Sequence, residues 1–259
     1  VTTVGELRGA RRRPRPRSRA TFASVLGEIL LTFGVVILLY VVWQIWIGDL
    51  IYGQTSRAEA QELSAQWAQS APVAPAPEPI ADPETQAVTY EPAAVPRDED
   101  GVPWAIMRVP RWGSDYEIKI AGGVSKPRTL DRTWIGHYLD TQMPGEVGNF
   151  GLAAHRTTFG APFARLPELR VGDPLVIETE AGWYVYRFRN LEYVRPDAYD
   201  VLADVPQAPE VAPGERYITL TSCSPKFSMT ERIVGYGVFD SFLPRATGET
   251  PAALTEGLI

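Results

Sequence analysis

Residues 217–237, YITLTSCSPKFSMTERIVGYG, alternate apolar and polar side chains on either side of a polar loop that contains Pro225. Residues 216–221 and 232–239 therefore predict two strands, with 224–231 folding the second back beside the first. The only cysteine in the chain, Cys223, ends the first strand, and Arg232 opens the second. A single thiol rules out an intramolecular disulfide and a multi-cysteine metal site, leaving a small buried side chain or a nucleophile. Two histidines, His137 and His155, are the only imidazole bases the chain could offer it.

Outward from this stretch, the second half of the chain repeats the same texture. Short apolar or alternating runs at 105–109, 116–120, 149–154, 174–179, 183–188 and 191–194 also read as strands, making eight in all. Eight strands predict a barrel or a sandwich. Glu180-Ala181-Gly182 suits a hairpin turn, 162–169 (PFARLPEL) a helical turn or two, and no internal repeat is present. With 23 prolines among 259 residues and a long polar stretch, one compact domain of about 150 residues is expected rather than two.

The first fifty residues set the compartment. Seven arginines fall within the first twenty positions, and residues 29–48 are free of charge. Twenty residues at 1.5 Å each span a bilayer core of about 30 Å. The arginine-rich flank predicts a cytoplasmic N-terminus, with Trp43, Trp46 and Tyr52 at the outer interface. A cleaved signal peptide is the competing reading, but the apolar run is too long for one and Ala58-Glu59-Ala60 too distant as a cleavage site. From Asp49 onward 29 acidic residues face 18 basic ones, an excess of eleven that argues against nucleic acid as a partner. The basic arm suits anionic lipid headgroups. Residues 55–69 favour helix, and the proline- and alanine-rich 71–98 suggest an extended spacer, with plain disorder an equal reading of that composition.

Only a thiolate attacks a carbonyl well, so a working cysteine needs a base or cation beside it. His155 follows an apolar strand directly and opens a polar loop, where a scaffold presents catalytic groups. Arg232 carries a fixed charge suited to a substrate carbonyl or an oxyanion. Each residue also has a plain structural reading: a buried thiol, a satisfied histidine, a solvated arginine. From these residues alone both readings stand.

The pattern resembles a known family. Thr219-Leu220-Thr221-Ser222-Cys223 is similar to the TLxTC signature of the sortases, and Arg232 follows at the sortase spacing. Ala154-His155-Arg156-Thr157-Thr158 with Gly160-Ala161-Pro162-Phe163 resembles that family's histidine loop in its class E form, and the likeness runs from about residue 102 to 242. It implies an all-β fold: a closed eight-stranded barrel with short helices, after one transmembrane helix and a Pro/Ala-rich linker. The layout expected is a basic cytoplasmic tail over 1–21, an anchor over 22–48, an extracytoplasmic linker over 49–100, a sortase domain over 101–245 and a C-terminal tail over 246–259. The activity implied is that of a cysteine transpeptidase on the outer face of a Gram-positive membrane. Such an enzyme cleaves an LAXTG- or LPXTG-like C-terminal sorting signal between Thr and Gly and passes the protein to an amine of a cell-wall precursor. The resemblance implies Cys223 as nucleophile, His155 as acid and base and Arg232 as substrate and oxyanion holder. Thr221, Ser222 and Tyr138 are expected at the substrate or oxyanion site. No cofactor or metal is called for, and a monomer is expected.

Two positions depart from the family pattern: Ser222 stands where the signature has threonine, and Ala153-Ala154 precede the histidine where glycine is common. His137, in a GHY run, is assigned a structural or groove-lining role. Tyr138 beside it would correspond to the tyrosine implicated in the class E preference for alanine at the second signal position. With an ordinary thiol near ~8.5 and imidazole near ~6.5, the thiolate–imidazolium pair is a minority species, so slow turnover is expected. Pilin-polymerising members carry an Asp-Pro-aromatic lid and a second membrane helix; here Glu84 follows Asp82-Pro83, and 247–259 holds no long apolar run. A housekeeping anchoring enzyme fits better. The alternatives are another cysteine acyl-transferase acting on peptidoglycan and a non-catalytic anchored barrel that binds a partner.

Overall fold

The computed structural model describes residues 21–43, 48–70, 78–81 and 88–256, in two units, one ending at Trp43 and the other beginning at Gln44. The arginine-rich arm, much of the spacer and the last three residues lie outside the described part.

The first unit is helix α1, Phe22–Val42, capped by Thr21, whose side-chain oxygen accepts from the Ser24 amide at 3.3 Å. Its 21 residues give about 31 Å. Leu, Ile, Val and Phe side chains cover it on all sides with none buried, so it is long and apolar enough to cross a bilayer.

The second unit is a closed β-barrel. A two-residue pair, β1 (Ile80–Ala81) with β2 (Val88–Thr89), precedes it. The barrel strands are β3 (Pro103–Arg108), β4 (Glu117–Gly122), β5 (Ile135–His137), β6 (Gly148–Ala153), β7 (Pro174–Glu178), β8 (Gly182–Val194), β9 (Arg216–Ser224) and β10 (Glu231–Pro244). They close in the order β10-β8-β7-β3-β4-β5-β6-β9. Pairing is antiparallel except for β4 with β5 and β6 with β9. Met107, Ile120, Phe150, Leu152, Tyr184, Tyr186, Ile218 and Leu220 fill the interior, and fully burying an aliphatic or phenylalanine side chain contributes about 1.5–3 kcal/mol.

The strand number agrees with the sequence reading, but two differences offset each other. Residues 183–188 and 191–194 form one strand, because β10 pairs along all of β8 and absorbs the mismatch in irregularities at Tyr236/Gly237 and Phe239/Ser241. The additional strand is β5, three residues held by parallel pairing to β4. It is too short to show alternation. Gly136 is required there, since a Cβ would lie 2.5 Å from the Gly123 carbonyl oxygen.

Helix α2, Gly48–Gln69, lies along the outside of the barrel. Ala60, Leu63, Ser64 and Trp67 share one face at helical spacing. Ala60, Leu63 and Trp67 pack with Ile106, and Ser64 Oγ donates to Glu178 Oε1 at 2.6 Å. The segment after β2 also packs down. Tyr90, Ala93 and Val95 cover the core, Tyr184 donates to the Ala93 carbonyl at 2.6 Å, and Asp98 is buried against His137. Residues 90–98 are thus part of the folded unit, not free spacer; Tyr and Val scattered among prolines carry no periodicity to announce it. The C-terminal segment packs likewise, with Ala253 buried against Val176, Trp183 and Val185.

Candidate active site

β9 and β10 pair in a register that sets Cys223 directly opposite Arg232. On the other side of β9, β6 runs parallel with Ala153 level with Thr221. His155 and Cys223 each stand two residues further on, so the parallel register brings the histidine to the same end of the barrel as the thiol. Ile218 and Leu220 point into the core, and the two-residue period of a strand puts Thr221 and Cys223 on the opposite face. Cys223 is partly exposed.

The His155 ring is held on an edge and a face. Nε2 lies 2.8 Å from Asp131 Oδ1, and the ring stacks on Phe159 at 5.1 Å between centroids and 26° between planes. The loop behind it is strained: Thr158, Phe159 and Ala161 have φ of 64°, 48° and 41°, a region that costs a residue with a Cβ about 1–2 kcal/mol. It is closed by the Phe163 amide on the His155 carbonyl at 3.1 Å and by the Tyr116 hydroxyl on the Pro162 carbonyl at 2.9 Å. The buried Arg156 bridges this loop to the cysteine strand, with Nη1 3.4 Å from the Cys223 carbonyl and Nε 3.4 Å from that of Ala164.

Arg232 Nη1 donates to the carbonyls of Met229 and Glu231 at 3.1 and 2.9 Å, which folds the guanidinium over its own loop. No carboxylate pairs with it among the described residues. Tyr138 follows β5, and its hydroxyl lies 2.9 Å from Thr221 Oγ1. Thr221 has one hydroxyl proton and donates it to the Leu152 carbonyl at 3.1 Å, so Tyr138 is the donor of the pair. Its own oxygen keeps lone pairs for a further donor. Burial pushes the Tyr138 phenol up; the Thr221 bond and the Arg232 charge offset part of this, and Cys223 adds to it. Tyr138 therefore remains a neutral phenol through neutral pH, within the field of both Arg232 and Cys223.

Of the residues singled out from sequence, Cys223, Arg232, Thr221 and Tyr138 meet on one face, and His155 reaches the same end. The Ser222 side chain does not join them: it is buried and donates to the Ala154 carbonyl at 2.7 Å, tying β9 to the start of the histidine loop. His137 is fully buried, with Nδ1 3.0 Å from Asp98 Oδ2 and Nε2 3.0 Å from the Gln142 carbonyl. Engaged on both nitrogens, it is no free base. Two residues of the site were missed from sequence. Arg156 lies inside the motif quoted for the histidine loop, whereas Asp131 sits 24 residues from His155, and no local signal links them. Among the described residues no group of three His, Cys, Asp or Glu side chains could hold a metal.

A closed eight-stranded barrel with a part-exposed thiol beside a histidine loop, and an arginine that no carboxylate pairs among the described residues, defines a class of protein, the β-barrel with a cysteine-centred site. A model of the Sortase domain matches residues 107–239. Sortase SrtE1 of Streptomyces coelicolor is 32% identical over 256 residues, covering 96% of this chain and 66% of the relative, slightly under two thirds of its length. Sortase SrtE2 of the same organism is 31% identical over 236 residues, covering 88% and 87%. Among solved structures, the SrtA sortase from Actinomyces oris matches with a TM-score of 0.59 and 32% identity, covering 63% of this chain and 93% of its own. Sortase E1 from S. coelicolor, crystallised with a tripeptide in the active site, matches at 0.55 and 38%, covering 60% and 97%. The chain belongs to the sortase family.

Proposed function

We propose that this protein is a membrane-anchored transpeptidase that cuts an LAXTG- or LPXTG-like sorting signal between Thr and Gly and joins the protein to a cell-wall amine. The observation that supports it most is the strand register: Cys223 faces Arg232 across β9/β10, and the parallel β6/β9 pair ends with His155 two residues on, at the same end of the barrel as the thiol. The Cys223 thiolate attacks the threonine carbonyl carbon while Arg232 donates hydrogen bonds to the oxygen as it gains charge. His155, as imidazolium, protonates the glycine nitrogen; the C–N bond breaks and a thioacyl-enzyme remains. The acceptor amine then attacks, gives a proton to the imidazole, and expels the thiolate as the new amide forms. Tyr138, neutral and with lone pairs free, accepts from the signal backbone near its second position. Thr221 holds Tyr138, and Ser222 acts through the strand pairing it secures. Helix α1 is the anchor, with the arginine-rich end in the cytoplasm and the barrel outside.

The test is intact-mass analysis of the full chain in detergent micelles with LAXTG and LPXTG peptides, with and without an amine acceptor. An adduct of the acyl fragment that is absent in Cys223→Ala and discharged by the amine is expected. No adduct, with Cys223 still alkylating readily, would replace the sorting-signal reading by another cysteine acyl-transferase; an inert thiol would leave a binding barrel.

A further inference from the structure

We propose that Asp131 is a positioning residue for His155, fixing its tautomer and ring orientation so that Nδ1 is the nitrogen that exchanges protons with the substrate. This rests on the transpeptidase reading above and deepens it. His155 Nε2 is 2.8 Å from Asp131 Oδ1, and Nδ1 has no hydrogen-bond partner among the described residues. A carboxylate only accepts, so the shared hydrogen sits on Nε2 and the lone pair of the neutral ring falls on Nδ1. Stacking on Phe159 fixes the ring plane, and the Asp131 contact fixes rotation within it.

The carboxylate is itself held by a short, locked crossover. Asp131 lies in a 3-10 turn, Leu130–Arg132, between β4 and β5. The Asp131 amide donates to the Lys126 carbonyl at 2.8 Å, and the Leu130 amide to that of Ser125 at 3.1 Å. Thr129 Oγ1 donates to the Gly122 carbonyl at 3.1 Å, and Thr133 ends the turn with φ of 68°. The Leu130 side chain packs into the space that Gly136 leaves open. The same crossover leads on through β5 to Tyr138, so one segment positions both the acid-base ring and the phenol beside Cys223. The Asp131 side chain is one-third exposed and the His155 side chain one-sixth, so the pair lies at the edge of the site with the ring the more enclosed of the two.

The chain has two histidines, so ring nitrogen-15 spectra of the full chain in micelles give two imidazoles, and His155→Gln assigns them. The wild-type neutral His155 ring should be protonated at Nε2. In Asp131→Ala the His155 ring nitrogens should move toward tautomer-averaged shifts, with His137 unchanged. The acyl-transfer kcat should fall about tenfold to a hundredfold, less than where the partner acid is wholly buried, with KM for the signal peptide within about twofold. Asp131→Asn, which keeps the shape but can donate its NH2 to Nε2, should shift the His155 ring toward the Nδ1–H tautomer and slow acyl transfer with the fold unchanged, which separates tautomer control from packing. An unchanged His155 tautomer and kcat in Asp131→Ala would overturn the proposal. The spectra need no substrate, so a wild-type protein that forms no thioacyl adduct would defeat the transpeptidase reading without deciding this one.

Discussion

At the scale of single residues, the chemistry turns on donors whose directions are already committed. Arg232 uses Nη1 on two loop carbonyls, which leaves Nε and Nη2 for a substrate oxygen. A lysine has one ammonium and cannot hold the loop and the oxygen at once. Arg232→Lys should therefore lower kcat/KM by about a hundredfold or more while the melting temperature barely changes, as steady-state assays beside thermal melts would show. Tyr138→Phe removes the bond to Thr221 and the acceptor facing the site, at about 1 kcal/mol of stability. The ratio of kcat/KM for LAXTG over LPXTG peptides should move toward unity in this variant. Because burial raises the Tyr138 phenol above the ordinary tyrosine value of ~10, wild type and Tyr138→Phe should share the same pH–rate profile shape below about pH 10. An alkaline limb near pH 9 that vanished in the variant would contradict this.

At the scale of elements, Glu178 joins three pieces of the second unit. Its carboxylate accepts from Ser64 on α2, from Arg108 Nε at 2.7 Å on β3 and from Arg245 at 2.8 Å just past β10. Burial alone would push the Glu178 carboxyl up, but the charge of Arg108 and the bonds from Ser64, Arg245 and Arg108 together hold it below the ordinary value. A carboxylate lowered in the folded state contributes stability that is present above its unfolded value near ~4.3 and lost as pH falls through the lowered folded one. Glu178→Gln should thus destabilise the protein by about 3 kcal/mol at neutral pH, since the part-buried Arg245 loses its carboxylate partner and Arg108 keeps only Glu117. The gap between variant and wild type, read from denaturant midpoints, should close as the pH is taken below about 4. The four-residue face of α2 depends on the same link, and proteolysis within α2 should be faster in the variant.

At the scale of the molecule, the barrel extends beyond the strands that a sequence boundary near residue 100 would keep. Cutting there removes α2, the Tyr90–Ala93–Val95 cover and Asp98, and leaves His137 buried without its carboxylate. A chain begun at residue 100 should melt roughly 6–12 °C below one begun at residue 48, as expected for losing about 3 kcal/mol from a domain of this size. Equal melting temperatures would mean that these segments rest on the barrel without stabilising it. The sequence by itself determined the strands long enough to alternate, the apolar helix, and the motif positions Cys223, His155 and Arg232, because periodicity and local motifs are written in neighbouring residues. Only the tertiary structure decided that 183–194 is one strand, that the three residues of β5 form another, and that Asp98, Asp131 and Arg156 stand where they do. Those features rest on pairing and burial between residues far apart in the chain, and a partner 24 or 39 positions away leaves no local trace.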